Sequence, residues 1–331
     1  MKTKKRRLSG SILFFTLLTC FLSVFIFNAS AESALFNRVF NVSSEDALEE
    51  GSEVGSDENE EPEWLQRISL NIDMGTNQTS RYYFETVQPL YQDIDKQNTF
   101  FIQPRYSIEG NDGTYNVGMG YRRLFADNSI LLGINSFWDA QVDHDHYRVG
   151  LGGEAFINLV ELRSNAYFAL SPRTTVNDVG IGAARTITYE QAVNGFDVEG
   201  GLPLPYMNWV SLYGGMYWYK YRYFDNPVGW RVRTQIKPIK YGTINLIAYD
   251  DNKRTPGFRV DGRITIPFDL FYKKRPNLDD IILAGFSKEA YPEKRDHSDK
   301  TLNRVEREYK IAVETWTEAP TGVVEIRRGT N

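Results

Sequence analysis

His144 and His146 alternate with Asp143 and Asp145, and two imidazoles between carboxylates are donors that could hold a divalent cation. The sequence offers no third ligand beside them, so the stretch reads as a polar loop, and neither a metal nor any other cofactor is expected. His297, the remaining histidine, stands alone in the tail. Hydrolytic chemistry needs a nucleophile and a base converging in three dimensions, and no motif marks such a pair, so no enzyme activity is expected. Cys20 is the single cysteine and lies in an apolar run near the start, which leaves the later chain without thiolate sites or disulfides. The other titratable groups recur at alternate positions and carry both signs: Arg105, Arg122, Arg148, Glu154, Glu161, Arg163, Asp197, Glu199, Arg231, Arg233, Arg259, Asp261 and Arg263. That pattern offers ion pairing across strands, or a grip on an inserted segment.

The elements that must carry these residues have a two-residue period. In Gly113–Phe125 the residues Tyr115, Val117, Met119 and Tyr121 share one face, and Thr114, Asn116, Gly118, Gly120 and Arg122 share the other. About twelve such segments are expected, near 66–74, 81–91, 98–107, 113–125, 129–142, 146–157, 160–170, 194–202, 209–221, 229–238, 241–250 and 258–271. Most have the ~9–11 residues of a tilted membrane-crossing strand. Apolar sets such as Ile68, Leu70, Ile72, Met74 and Ile130, Leu132, Ile134, Trp138 would meet lipid. The opposite face, rich in glycine and charge, would line a lumen. Pro104 sits awkwardly in the third segment. Mean hydropathy is −0.43 although 14% of residues are aromatic, a combination that fits a transmembrane barrel and not a helical membrane protein. The fold class expected is therefore all-β, a twelve-stranded antiparallel transmembrane outer-membrane β-barrel. Links after even-numbered strands are short, and Ser171–Val193 after the seventh is the longest, so both ends of the barrel chain are expected in the periplasm.

The start of the chain has the form of a secretory signal: basic Lys2, Lys4, Lys5, Arg6 and Arg7, an apolar run Ile12–Phe27, and the A-x-A site Ala29-Ser30-Ala31. Cleavage would leave Glu32 first; an uncleaved anchor is the alternative, and the surroundings of Cys20 make a poor lipidation site. The whole chain is acidic, with 38 Lys+Arg against 43 Asp+Glu, and nucleic-acid binding is not expected. Much of the excess lies in Glu45–Glu63, which reads as a disordered acidic linker. The expected organisation is a signal peptide over 1–31, an acidic periplasmic linker over 32–63 and a barrel over 64–272. Residues 273–300 then form a connection with a short helix near Asn277–Glu289, and 301–331 a linker and tail.

Several stretches resemble one family. Gln88–Tyr106, Asn116–Phe156, Leu162–Ser171 and Asn194–Tyr206 are similar, in order, to the inverse autotransporter barrel of intimin and invasin adhesins, the type Ve secretion systems. Leu302–Glu314 resembles that family's linker. The resemblance implies a twelve-stranded outer-membrane barrel whose C-terminal linker threads back through the pore and carries a passenger to the surface. It places Arg304, Val305, Glu306, Arg307 and Tyr309 in the pore, facing Arg231, Arg233, Glu154 and Glu199. It also implies outer-membrane lipid and lipopolysaccharide around the barrel, periplasmic chaperones and the outer-membrane assembly machinery for insertion, and an unspecified host or bacterial surface partner. The family's LysM module has no counterpart in the acidic linker, and nothing after Tyr272 reads as a passenger domain of ~100 residues. Crossing ~25 Å at ~3.3 Å per residue takes about eight residues, so Leu302–Thr317 could cross and leave Glu318–Asn331 outside. The alternative is a structural or porin-like barrel whose tail plugs the pore or stays in the periplasm.

Overall fold

The computed structural model describes residues 68–76, 78–180, 185–266, 282–291, 294–319 and 322–325. The stretches expected to be a signal peptide and an acidic linker, and the segment 267–281, lie outside the described residues. Described strands are β1 Ile68–Gly75, β2 Arg81–Thr86, β3 Gln88–Gln92, β4 Asn98–Glu109, β5 Asp112–Phe125, β6 Ile130–Gln141, β7 His146–Ile157, β8 Val160–Ala169, β9 Thr174–Val179, β10 Thr186–Ala192, β11 Asn194–Leu204, β12 Met207–Lys220, β13 Val228–Ile239, β14 Gly242–Asp251, β15 Gly257–Ile266, β16 Val313–Ala319 and β17 Gly322–Glu325. No α-helix occurs among the described residues. Each wall strand pairs antiparallel with its neighbours, and β1 closes the ring by pairing with β15, from Ile68↔Ile266 to Gly75↔Arg259. With β2 and β3 counted as one interrupted strand, the wall is a closed barrel of twelve.

The interruption has a cause in the sequence. β2 pairs with β4 down to Glu85↔Arg105, and β3 resumes at Gln88↔Ile102. Pro104 falls in the gap; lacking an N–H it cannot complete a ladder there, and the neighbouring strand breaks opposite it. Outside, Leu70, Met119, Ile134, Leu151, Met216 and Ile264 are exposed. The outer aromatic pairs Phe100–Tyr121 and Tyr106–Tyr115 lie toward opposite ends of β4 and β5, where a barrel places its interfacial rings. Inside, bare backbone makes room for rings: a Cβ on Gly118 would collide with Phe137.

One end of the barrel carries only brief links, including Ala126–Ser129 and Asn158–Leu159. Residues 126, 127 and 128 all take positive φ, at 50°, 50° and 67°. The other end carries the long links. By the outer-membrane rule the brief end is periplasmic. The stretch Ser171–Val193 is not simply a loop. It contains β9 and β10, which form a second, four-stranded sheet with β16 and β17 in the order β17-β16-β10-β9. The expected helix is also corrected where it can be seen: Ile282–Glu289 is irregular. Ile282 bridges Ile239, the amides of Leu283 and Ala284 donate to the Pro238 carbonyl, and Ser287 N donates to Tyr206 O. Amides taken up by the barrel's brief links leave no i to i−4 ladder to build.

Candidate functional site

The lumen holds a segment of the chain itself. At the brief-turn end His297 N donates to Asn128 O at 2.9 Å, Arg295 N to Asn158 Oδ1 at 3.1 Å, and Lys294 pairs with Asp127 at 2.8 Å. The short 3-10 turn Ser298–Lys300 then delivers Lys300 to Glu161, buried beside it as an ion pair. Beyond it the chain turns at Thr301–Asn303 and then runs without regular secondary structure to Ala312, and wall side chains satisfy its main-chain groups. Arg122 Nη1 donates to the carbonyls of Thr301 (3.1 Å) and Asn303 (2.5 Å) while its other nitrogens hold Glu154 at 2.7 and 2.9 Å. Arg148 donates to the carbonyls of Glu308 (2.7 Å) and Lys310 (3.1 Å). Asn165 donates to Glu306 O and Asn116 to Tyr309 O. The amides of Val305 and Glu308 donate to Gln103 Oε1 and the Tyr167 hydroxyl.

The segment's side chains complete the fit. Leu302, Val305 and Tyr309 pack with Val87, Phe101 and Phe137, and Val305 is 0% exposed. The Tyr309 hydroxyl accepts from Gln103 Nε2 (2.8 Å) and donates to Val305 O (2.5 Å). Arg307 reaches Asp139 at 2.7 and 3.2 Å across Gly150, where a Cβ would stand 2.6 Å from its Nη2. Arg304 pairs with Glu306 at 3.0 Å and with Glu85 and the Tyr83 hydroxyl at 3.2 and 2.9 Å.

Of the lumen residues picked from sequence, Arg105, Arg122, Arg148, Glu161 and Asp261 touch the segment. Arg105 pairs with Glu85 and stacks over the Tyr309 ring, 4.1 Å from its centroid. Glu154 acts through Arg122. Arg231, Arg233 and Glu199 face the linker across a small cavity that they share with Arg304, Glu306 and Glu308, while among the described residues their hydrogen bonds go to wall partners. Arg233 reaches Glu199 at 2.5 Å and Arg231 reaches Asp197 at 3.3 Å, while Arg263 donates to Thr243. The arginines of β13 reach the carboxylates of β11 across β12, where Gly215, opposite both Glu199 and Arg231, leaves room for the guanidinium. Sequence reasoning put Asn116 on the lumen face without giving it a role, and passed over Gln103, Asp139, Asn165 and Tyr167; their only signal was inward parity beside residues read as outward, such as Trp138 next to Asp139. Ala29 and Ala31 lie outside the described residues.

The chain leaves at the long-loop end. Val193 N donates to Ala312 O at 3.0 Å, and β16 then pairs with β10 from Ala192↔Val313 to Ile187↔Glu318. Pairing with the second sheet thus begins at Ala312, inside the range Leu302–Thr317 expected to cross. The Glu314 carboxylate accepts the amides of Arg222, Tyr223 and Phe224, and Trp316 is buried against Tyr189 and Tyr223.

His297 should make the seating of the segment depend on pH. It is 0% exposed, and neither ring nitrogen has a hydrogen-bond partner among the described residues. Burial, then Lys300 and Arg295, hold its pKa down to about 4, from an ordinary 6.5. A dislodged His297 binds its proton near pH ~6.5, so the stability of the seated segment is full above that pH and is lost as pH falls toward 4. Channel openings in planar bilayers should become more frequent over that window, and His297→Phe should flatten the response. An equal response in the variant would remove His297 as the cause.

A closed twelve-stranded antiparallel wall, apolar outside, charged inside and threaded by its own C-terminal segment, defines an outer-membrane β-barrel. The chain belongs to the inverse autotransporter β-domain family, whose model matches residues 51–244. A protein named as an attaching and effacing protein homolog of Escherichia coli (strain K12) is 28% identical over 174 residues, 50% of this chain and 54% of that protein. The inverse autotransporter adhesin YeeJ of the same strain is 28% identical over 168 residues, 49% of this chain and 7% of the adhesin. The matched part thus spans about half the length of the first relative and a small part of the second. A solved chain described under "Unveiling the Mechanism Behind the in-meso Crystallization of Membrane Proteins" has a TM-score of 0.59 at 19% identity, covering 75% of this chain and 99% of that one. That likeness concerns the fold.

Proposed function

We propose that this barrel is a translocator that exports its own C-terminal segment and holds it at the cell surface. The observation that carries the reading is the polarity of the threading: the segment enters beside the brief turns at Asn128 and Asn158 and leaves beside the long links, where β16 joins β10. The grip suits passage. Arg122, Arg148, Asn116, Asn165 and Gln103 bind carbonyls and an amide, groups that every residue presents, so successive stretches of chain could be held in turn. The lumen has no role as an active site in this reading. Export through the signal at 1–31, cleavage after Ala31, chaperone delivery, insertion by the assembly machinery and contact with lipopolysaccharide belong to the same proposal. So does adhesion, which YeeJ's name states for that relative, toward a host or bacterial surface.

The test is an epitope tag after Asn331 in intact cells, with a periplasmic control. Antibody access from outside is the expected result. Access only after the outer membrane is opened would reject export and leave a porin-like barrel with an internal tail.

A further inference from the structure

The two histidines that lacked a third ligand in the sequence acquire one from the fold. The second sheet brings Glu190 of β10 over the rim of the barrel, where its Oε2 stands 3.6 Å from His144 Nδ1 and 3.5 Å from His146 Nε2. Donors at ~2.1 Å from a tetrahedral cation are separated by about 3.4 Å, so both separations are the edges such a site needs. His146 is 1% exposed, yet neither ring nitrogen has a hydrogen-bond partner among the described residues. A buried imidazole left unsatisfied in this way calls for a further partner.

The outer contacts also suit a metal site. His144 would bind through Nδ1, because its Nε2 lies 3.0 Å from Asp112 Oδ1, the carboxylate–imidazole arrangement that orients a ligating histidine. The other Glu190 oxygen accepts from Thr315 Oγ1 of β16 at 3.2 Å. As they stand the three groups do not form a closed coordination set. The two rings lie 6.1 Å apart at 12°. His144, on the turn Val142–His144 with 21% of its side chain exposed, can rotate to close the set.

We propose that His144, His146 and Glu190 bind a divalent transition cation of the Zn2+ class and so clip the β9–β10 hairpin, with the outgoing strand on it, to the barrel rim. Two imidazoles and one carboxylate favour Zn2+, Co2+ or Ni2+ over Mg2+ or Ca2+, and water would take the open position. The ligands belong to the barrel and its hairpin, so the site stands whether or not the tail is exported.

The test uses the full chain in detergent, stripped with a chelator and titrated with Co2+. Visible absorption of low-symmetry Co2+ should saturate at about one equivalent, yield to Zn2+ and persist with Mg2+. Asp112→Asn should weaken binding roughly tenfold, and His144→Ala and Glu190→Gln by about 100-fold or more. His144 is partly exposed on a turn, so its variant keeps the barrel folded, which heat-dependent gel mobility verifies. Zn2+ should also slow amide exchange in β10 of the parent protein only. Absence of a Co2+ spectrum, a spectrum that survives both ligand substitutions, or unchanged β10 exchange would each overturn the proposal.

Discussion

Deleting Lys300–Asn331 should turn a nearly silent barrel into an open channel. The lumen is closed by three things that leave together: the main chain held by Arg122 and Arg148, the apolar contact of Leu302, Val305 and Tyr309 with Val87, Phe101 and Phe137, and the Arg307 side chain over Gly150. Once they are gone, the exposed wall carries charges of both signs, and water enters a lumen that has no apolar surface continuous enough to exclude it. A second apolar cluster, Leu124, Leu131 and Phe156, belongs to the wall near the brief-turn end and stays when the segment is removed. Steps in planar bilayers should therefore rise by about tenfold or more over the full chain, as expected for a water-filled barrel. Tyr309→Ala should give only brief openings, because it removes one ring and leaves the main-chain grip. A truncated barrel that is folded by gel mobility yet no more conductive would mean that the wall closes the pore by itself.

Most of the wall was legible because strand period and membrane geometry constrain the same residues. The alternation of Tyr115, Val117, Met119 and Tyr121 fixes which side meets lipid, and with that fixed Asn116 and Arg122 can only point inward. Pro104 was an anomaly in sequence; opposite the break between β2 and β3 it becomes the reason for the break. The second sheet was not legible. β10 and β16 pair although Thr188 and Thr317, which face each other, are 129 residues apart, and each strand alone reads as a short polar-apolar run whose partner no local pattern names. The contacts of the threaded segment were only half legible. Charge drew attention to Arg231, Arg233 and Glu199, which neutralise one another, while the uncharged Gln103, Asn116 and Asn165 meet the segment's backbone. A hydrogen-bonding role toward main chain leaves little compositional trace, since any small amide at an inward position will serve.

Asp139 is the residue whose loss should do the most damage for one atom changed. It is 0% exposed and accepts Arg148 Nε at 2.8 Å, Arg307 Nη2 at 2.7 Å and Asn116 Nδ2 at 2.7 Å, so one carboxylate holds the wall and the threaded segment together. Asp139→Asn leaves two buried guanidiniums without their anion, and removing one partner of a buried ion pair costs about 3–5 kcal/mol. Arg307→Met should cost less, because Asp139 keeps Arg148 and Asn116, and Met fills the space beside Phe137. Combining the two substitutions should recover part of the loss from Asp139→Asn, since the cation that most needed the carboxylate is gone and Arg148 still has the carbonyls of Glu308 and Lys310. Urea unfolding in lipid vesicles gives the three differences, and protease access to the threaded segment reports its release. The expected order is a large single effect at Asp139, a smaller one at Arg307, and a double variant less damaged than additivity allows. Strict additivity would mean that Asp139 does not hold Arg307, and the coupling between wall and segment would have to be sought among the main-chain contacts of Arg122 and Arg148.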